Sequence, residues 1–347
     1  MNEPLFTGNE QKYLSECIQS GWVGNGPFIE RFEEEFSRYI GRKHGIAVSS
    51  GTAALDISVE ALGIKQGDEV ICPSLAIIST INQILRVGAR AVFVDCDRTW
   101  NMDVSKVKDL ISDKTKAIIA VHTYGLPVDM DPLLGLRTFV IEDAAEVIGQ
   151  TYKGKKCGTF GTLSCFSFYA NKIITTGEGG MILTDDDDLA KECRRLRDLC
   201  HTERFHHDRI GWNYRMTNMQ AAVGCAQLEQ IEEKIAKKRM IGRWYDALLS
   251  HLDIKRPIGK TDYAENIYWV YAIETRLRAK QVIEGMRKEG IECRPFFWPL
   301  HLQPIVDSAA SCPNAEHAAG YGLYLPSGMA LTIEQSCEVA EALRKVL

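Results

Sequence analysis

The sequence predicts an α/β fold: a large domain on a mostly parallel sheet, followed by a smaller C-terminal α+β domain. Three observations predict it. First, from Gly45 onward short apolar runs alternate with amphipathic stretches over roughly 100 residues, the rhythm of a doubly wound domain. Second, those runs are nearly all apolar, as expected for parallel strands buried on both faces. Third, the rhythm changes past residue 240, which divides the chain into 1–240 and 241–347.

Taken in order, residues 11–20 and 28–40 read as helices, the second with apolar residues three and four apart. Between them, Ser20 to Pro27 is a glycine- and proline-punctuated loop. It is not a dinucleotide fingerprint, since no strand precedes it and no third glycine follows at the required spacing. Gly45–Val48 is a short strand, and a helix opens at Ser50-Gly51-Thr52 and runs to about Leu62. Strands are expected at 69–72, 91–94, 116–122 and 138–142, with helices at 77–87 and 104–111. Ser164–Phe168 and Met181–Leu183 are two further buried strands flanking a glycine-rich turn. A long amphipathic helix is expected from about Gln220. The C-terminal part holds helices at 241–252, 279–289 and from Thr332, with a strand pair near 268–273.

The 347 residues carry a formal net charge of −5 and no run of Lys and Arg, which leaves a nucleic-acid role without an electrostatic footprint. The 11 cysteines include no C-x-x-C pair, which argues against a zinc ribbon or a disulfide framework. They read as buried thiols in a reducing compartment. The segment Met1–Phe6 lacks a basic region followed by an apolar one, and no apolar run approaches the ~18 residues of a membrane span. A cytoplasmic protein with no membrane or nucleic-acid partner is expected. The run Asp185–Asp188 reads as a solvated turn and His206-His207 as a polar loop, so no metal site is expected.

Three features carry chemistry. Lys172 ends an aromatic run between two buried segments, where desolvation favours the neutral amine and hence Schiff-base chemistry; a strand-end lysine that snorkels to water is the alternative. Ser50-Gly51-Thr52 places small residues at a strand end and a helix N-terminus, which suits an anion or simply a helix cap. Asp143 also falls at a strand carboxyl end, where a ligand of such a sheet binds, or it caps a helix. Trp22, in the glycine-rich loop, could stack on a ligand or cover core. A phosphate cradle, an acid for a pyridine nitrogen and a lysine for an aldehyde are the groups a pyridoxal phosphate site needs.

On these and adjoining segments the chain resembles the sugar aminotransferases of the DegT/DnrJ/EryC1/StrS family, of aspartate-aminotransferase fold. The segments are Ser49–Leu55, Glu142–Glu146, Phe166–Lys172, Thr176–Met181 and Gly211–Met216. Within the family, Lys172–Gly180 and Arg294–His301 are most similar to the perosamine-type 4-aminotransferases. The resemblance implies transfer of an amino group from L-glutamate to a nucleotide-linked 4-keto-6-deoxy sugar, with pyridoxamine phosphate as the intermediate cofactor form. It implies that Lys172 bonds the cofactor aldehyde and then shuttles protons, and that Asp143 holds the pyridine nitrogen protonated. Glu146 would lie near the phenolic oxygen, where relatives often have glutamine. Gly51, Thr52, Ala53 and Ser167 would bind the phosphate, and Asn213 would reach it from the neighbouring subunit of a homodimer. Trp22 and His301 would border the sugar nucleotide. One departure stands out: Ile77 occupies the place where relatives stack an aromatic ring on the pyridine. The alternatives are a 3-keto sugar aminotransferase, a sugar 3-dehydratase, disfavoured because its members carry histidine in place of Lys172, and a non-catalytic binding protein.

Overall fold

The computed structural model describes residues 3–347. Its central sheet has seven strands, in the spatial order 44–48, 180–184, 163–167, 139–143, 115–121, 69–73 and 90–94. Only Gly180–Thr184 runs antiparallel to its neighbours. The remaining pairs, from Leu163–Ser167 outward to Arg90–Val94, are parallel. Three of these strands are buried at every position and a fourth at all but one, as largely apolar runs require when both faces of a sheet are covered. In the fourth, Phe139–Asp143, only Phe139 at the solvent end is exposed.

Helix Pro27–Ile40 starts with Pro at N1 and buries Phe28, Phe32 and Phe36, spaced four apart along one face. Phe32 and Phe36 pack on Phe168, with ring centroids 5.0 and 5.2 Å away, and so brace the strand that leads to Lys172. Glycine at 180 lets the antiparallel strand approach the sheet edge: a Cβ there would lie 2.3 Å from the Ser50 carbonyl oxygen.

The C-terminal lobe is a three-stranded antiparallel sheet, Tyr271–Glu274, Gly322–Leu325 and Arg294–Pro295, covered by helices Ile231–Leu248, Ala279–Lys288 and Ile333–Val346. It has its own core, which includes Tyr245, Tyr271, Val282, Leu323 and Leu343. Helix Ile231–Leu248 serves both cores: Ile231 and Ile235 pack in the large one, Ile241 and Tyr245 in the small one. Residue 240 therefore lies mid-helix, and the rhythm change there marks a change of core without a linker.

Three expected elements differ. The stretch 104–111 forms two 3₁₀ turns, Val104–Lys106 and Lys108–Leu110. Only Val107 there is fully buried, so packing does not repay nucleation of a full helix. The long helix expected from Gln220 is two helices, Asn218–Leu228 and Ile231–Leu248. They break where Tyr13, Asn9 and Arg31 hold the Glu229 carboxylate. The strand pair near 268–273 is a single strand, Tyr271–Glu274, whose partner is the distant Gly322–Leu325.

Candidate active site

The parallel strands end on one side of the sheet, and their carboxyl ends open into a cavity of about 400 Å³. Gly51, Thr52, Ile77, Asp143, Glu146, Ser167 and Lys172 all line it. Helix Gly51–Ala61 points its N-terminus at this space. Ser50 Oγ caps the helix by accepting from Ala53 N–H at 3.1 Å. Ala53 is thereby committed to the cap and buried, and it is not among the cavity-lining residues. Gly51 and Thr52 precede the first intrahelical bond, so their N–H groups are available to an anion. Thr52 Oγ1 pairs with Ser79 Oγ at 2.7 Å, which adds a second hydroxyl to the same corner. Ser79 opens the next helix, and a hydroxyl at a helix start beyond a strand end was a signal available in the sequence.

A Cβ on Gly51 would lie 2.7 Å from Ser167 Cβ and 3.1 Å from its Oγ. The glycine is needed for this close approach of helix and strand.

Lys172 sits in the turn after Leu163–Ser167, its backbone N–H bonded to Tyr169 O at 2.9 Å and its side chain 11% exposed. Its Nζ lies 3.7 Å from Glu146 Oε1 and 3.9 Å from the centroid of the Trp269 ring. Burial holds its pKa below the ordinary lysine value, although Glu146 and Asp143 both favour the ammonium. Burial likewise pushes the Glu146 carboxyl up to about 7, against the pull of Lys172. Asp143 is also raised by burial. Its Oδ1 accepts from Ala145 N–H at 3.1 Å, and no donor among the described residues bonds its Oδ2.

Several residues of the site carried no sequence signal. Tyr124 donates its backbone N–H to Glu146 Oε2 at 2.8 Å from a left-handed backbone, φ 57°. Such strain in a non-glycine residue is held by its surroundings: its ring packs against Trp269, Phe296 and Phe297, and its hydroxyl accepts from Phe297 N–H at 3.1 Å. Trp269, Arg294 and Tyr324 reach the cavity from the C-terminal lobe.

Besides Ala53, three expected residues lie outside the cavity wall. Ile77 is 46% exposed and faces the cavity, whereas Trp22 is 57% exposed on the loop before Pro27 and does not line it. His301 is buried, with Nδ1 2.6 Å from Ser74 Oγ and Nε2 3.2 Å from Glu316 Oε1, and it too is absent from the cavity wall. Asn213 lines a separate polar groove with Gly26, Arg197 and Arg215.

His122, Glu142 and Cys157 form a buried cluster of metal-ligand types, but its hydrogen bonds explain it without an ion. Val128 N–H donates to His122 Nδ1 at 3.0 Å, which leaves the proton on Nε2 to donate to Glu142 at 3.0 Å. Phe160 and Gly161 N–H groups bond the other Glu142 oxygen. Burial opposes the Glu142 charge, but these donors outweigh it and hold the carboxyl below the usual range.

The donor set fits pyridoxal phosphate. The Gly51–Thr52 helix end suits its phosphate, Asp143 Oδ2 its ring nitrogen, and Lys172 Nζ its aldehyde. The comparisons agree with this chemistry. The DegT/DnrJ/EryC1/StrS aminotransferase family profile matches residues 5–344. A GDP-perosamine synthase of Caulobacter vibrioides is 43% identical, the match covering 99% of this chain and 97% of that protein. The GDP-perosamine synthase of Escherichia coli O157:H7 is 40% identical over the same shares. Among solved structures, the aminotransferase TlmJ of Streptoalloteichus hindustanus superposes with a TM-score of 0.95 at 29% identity, covering 99% of this chain and 97% of that one. The PMP-form of a sugar aminotransferase of Streptococcus pneumoniae gives 0.93 at 25%, covering 99% and 96%. With matched sequence along nearly its whole length, the same fold and a cavity that presents the groups the cofactor needs, this chain belongs to the DegT/DnrJ/EryC1/StrS aminotransferase family.

Proposed function

We propose that this pyridoxal-phosphate enzyme transfers an amino group from L-glutamate to C4 of a nucleotide-linked 4-keto-6-deoxy sugar, giving a 4-amino-4,6-dideoxy sugar of perosamine or viosamine type. The observation that carries the reading is the convergence of Lys172, Asp143 and Glu146 in one cavity of a chain 43% identical to a GDP-perosamine synthase.

Bound here, pyridoxal phosphate supplies an aldehyde for amine exchange and a ring that withdraws electrons from the reacting carbon. Lys172, its charge disfavoured by burial, provides the amine and carries protons at Nζ. Asp143 would accept a hydrogen bond from the protonated ring nitrogen and so keep that proton in place, which would keep the ring electron-poor. The N–H groups of Gly51 and Thr52 and the hydroxyls of Thr52, Ser79 and Ser167 anchor the phosphate. Trp269 covers the lysine side of the cavity and limits water there, and the Tyr124 ring stacks against it with centroids 6.5 Å apart.

The homodimer with shared sites and the cytoplasmic location belong to this reading. Asn213 lies outside its own cavity, in a polar groove of about 990 Å³, which supports its acting on a partner's site. No helix among the described residues is long and apolar enough to cross a membrane.

The test is a mass-spectrometric screen of GDP-, UDP- and dTDP-linked keto sugars with glutamate. A 4-amino product with release of 2-oxoglutarate is expected. Amination at C3 alone would replace the reading with a 3-aminotransferase, and loss of the 3-hydroxyl with a dehydratase. No turnover with any of them would leave a binding protein.

A further inference from the structure

The lysine expected to bond the cofactor has an acid beside it that the phosphate cradle and the ring-nitrogen contact do not use. Glu146 is 6% exposed. Its two oxygens have different surroundings: Tyr124 N–H fixes Oε2 at 2.8 Å, while Oε1 faces Lys172 Nζ at 3.7 Å, an ion-pair distance. Fixing one oxygen holds the other toward the amine.

We propose that Glu146 is a catalytic acid/base that shares a single proton with Lys172, taking it on Oε1 whenever Lys172 must be a free amine and returning it afterwards. This rests on the assignment of Lys172 above. The step is a proton transfer alone: one Nζ–H bond of the ammonium breaks and an Oε1–H bond forms. The amine becomes neutral and so does the carboxyl.

The surroundings pull on the proton in both directions. Burial penalises both charges and so favours the neutral pair. The Trp269 face favours the ammonium. Asp143 is the other acid whose charge acts on Lys172 and Glu146; the Tyr124 and Tyr324 phenols feel the Glu146 charge, and Tyr169, Glu178 and Arg294 stand at the cavity wall. An internal proton transfer needs no exchange with solvent in a site covered by Trp269. Glutamine at this position could hydrogen-bond but could not take the proton.

Such a pair has a pH signature that a lone lysine lacks. Between its two macroscopic pKa values it holds one proton, and the fraction present as free amine is set by the balance of the two forms, independent of pH. The experiment is competitive labelling with acetic anhydride of the full-length chain after cofactor removal, with the Lys172 peptide quantified by mass spectrometry across pH. Native folding is checked by reloading pyridoxal phosphate. The wild type should give a two-step curve whose middle is a plateau. Glu146→Gln should give one step, falling about tenfold per pH unit below its midpoint. Glu146→Asp should restore two steps, and Asp143→Asn should keep them. A single step in the wild type overturns the proposal, even if no variant folds. Two steps that survive Glu146→Gln but vanish in Asp143→Asn overturn it as well. Borohydride fixation of the cofactor to another lysine would instead overturn the assignment of Lys172.

Discussion

The indole of Trp269 lies over the ammonium of Lys172, with 3.9 Å between Nζ and the ring centroid, and its N–H donates to Asn171 O at 2.9 Å. A residue of the segment entering the C-terminal lobe thus both covers the lysine and ties down its neighbour. A desolvated cation–π contact contributes up to about 2 kcal/mol in favour of the charged form. Trp269→Leu keeps the site apolar but removes that contact. Free amine should therefore rise several-fold, up to about thirtyfold, at fixed pH near neutrality, read as faster acetic anhydride labelling of Lys172. Unchanged or slower labelling would show that the ring does not stabilise the ammonium.

Gly51 and Ser167 form a coupled pair, since a Cβ on the first meets Cβ of the second at 2.7 Å. Gly51→Ala should lower the melting temperature through overpacking of about 1–3 kcal/mol and weaken cofactor binding at least tenfold. Ser167→Gly removes the atoms in the way. The double variant should recover most of the melting temperature, a positive coupling measurable by a thermal double-mutant cycle. Additive losses would place the clash elsewhere.

Ile77 faces the cavity and is 46% exposed, so a larger ring has room there. Aromatic stacking adds about 0.5–1.5 kcal/mol beyond burial, so Ile77→Tyr should tighten cofactor binding about two- to tenfold. Ile77→Ala should loosen it. Cofactor dissociation rates of the three proteins check both directions, and three equal rates would mean that Ile77 does not touch the ring.

Asn213 is expected to act across a dimer. Lys172→Ala and Asn213→Ala proteins, each impaired alone, should regain part of the activity when subunits are mixed, because some heterodimers hold one site intact at both positions. Size-exclusion chromatography with differently tagged chains establishes that heterodimers form. If they form without regain, Asn213 works within its own chain.

Lys238 is a second buried lysine, 3% exposed, whose ammonium donates to Ser327 O at 2.5 Å. Burial lowers its pKa to about 7. The folded value lies below the unfolded one of about 10.4, so its charge disfavours folding most at and below pH ~7 and not at all above pH ~10. Lys238→Met should therefore gain stability relative to the wild type as pH falls from about 10 to about 7, by up to ~4 kcal/mol less the lost hydrogen bond. Melting temperatures across that pH range measure it, and a pH-independent difference would show that Lys238 stays protonated throughout.

What the sequence determined by itself was local or periodic. Apolar runs such as Val70–Cys72 and Ile118–Val121 fixed the buried strands, because a parallel strand covered on both faces cannot alternate. The capping side chains of Ser50 and Thr332 marked helix starts, because a cap acts within three residues. The placement of Lys172 between two buried runs was legible for the same reason, since those runs are its own neighbours in the chain. Tertiary structure decided the rest. The left-handed backbone of Tyr124 is imposed by aromatic rings packed around it, including those of residues 269, 296 and 297, and nothing adjacent in sequence requires it. Whether 104–111 closed into a helix depended on how deeply the core took its side chains, and it buried only Val107 fully, with Val104 and Leu110 packed at its margin. His301 shares a sequence segment with residues that reach the cavity, yet Ser74 and Glu316 hold its ring in the interior. The contact of Trp269 with Lys172 joins distant positions in the chain, because Trp269 packs into the core of the large domain although it precedes the strands of the C-terminal lobe, and no period or cap encodes such a distance.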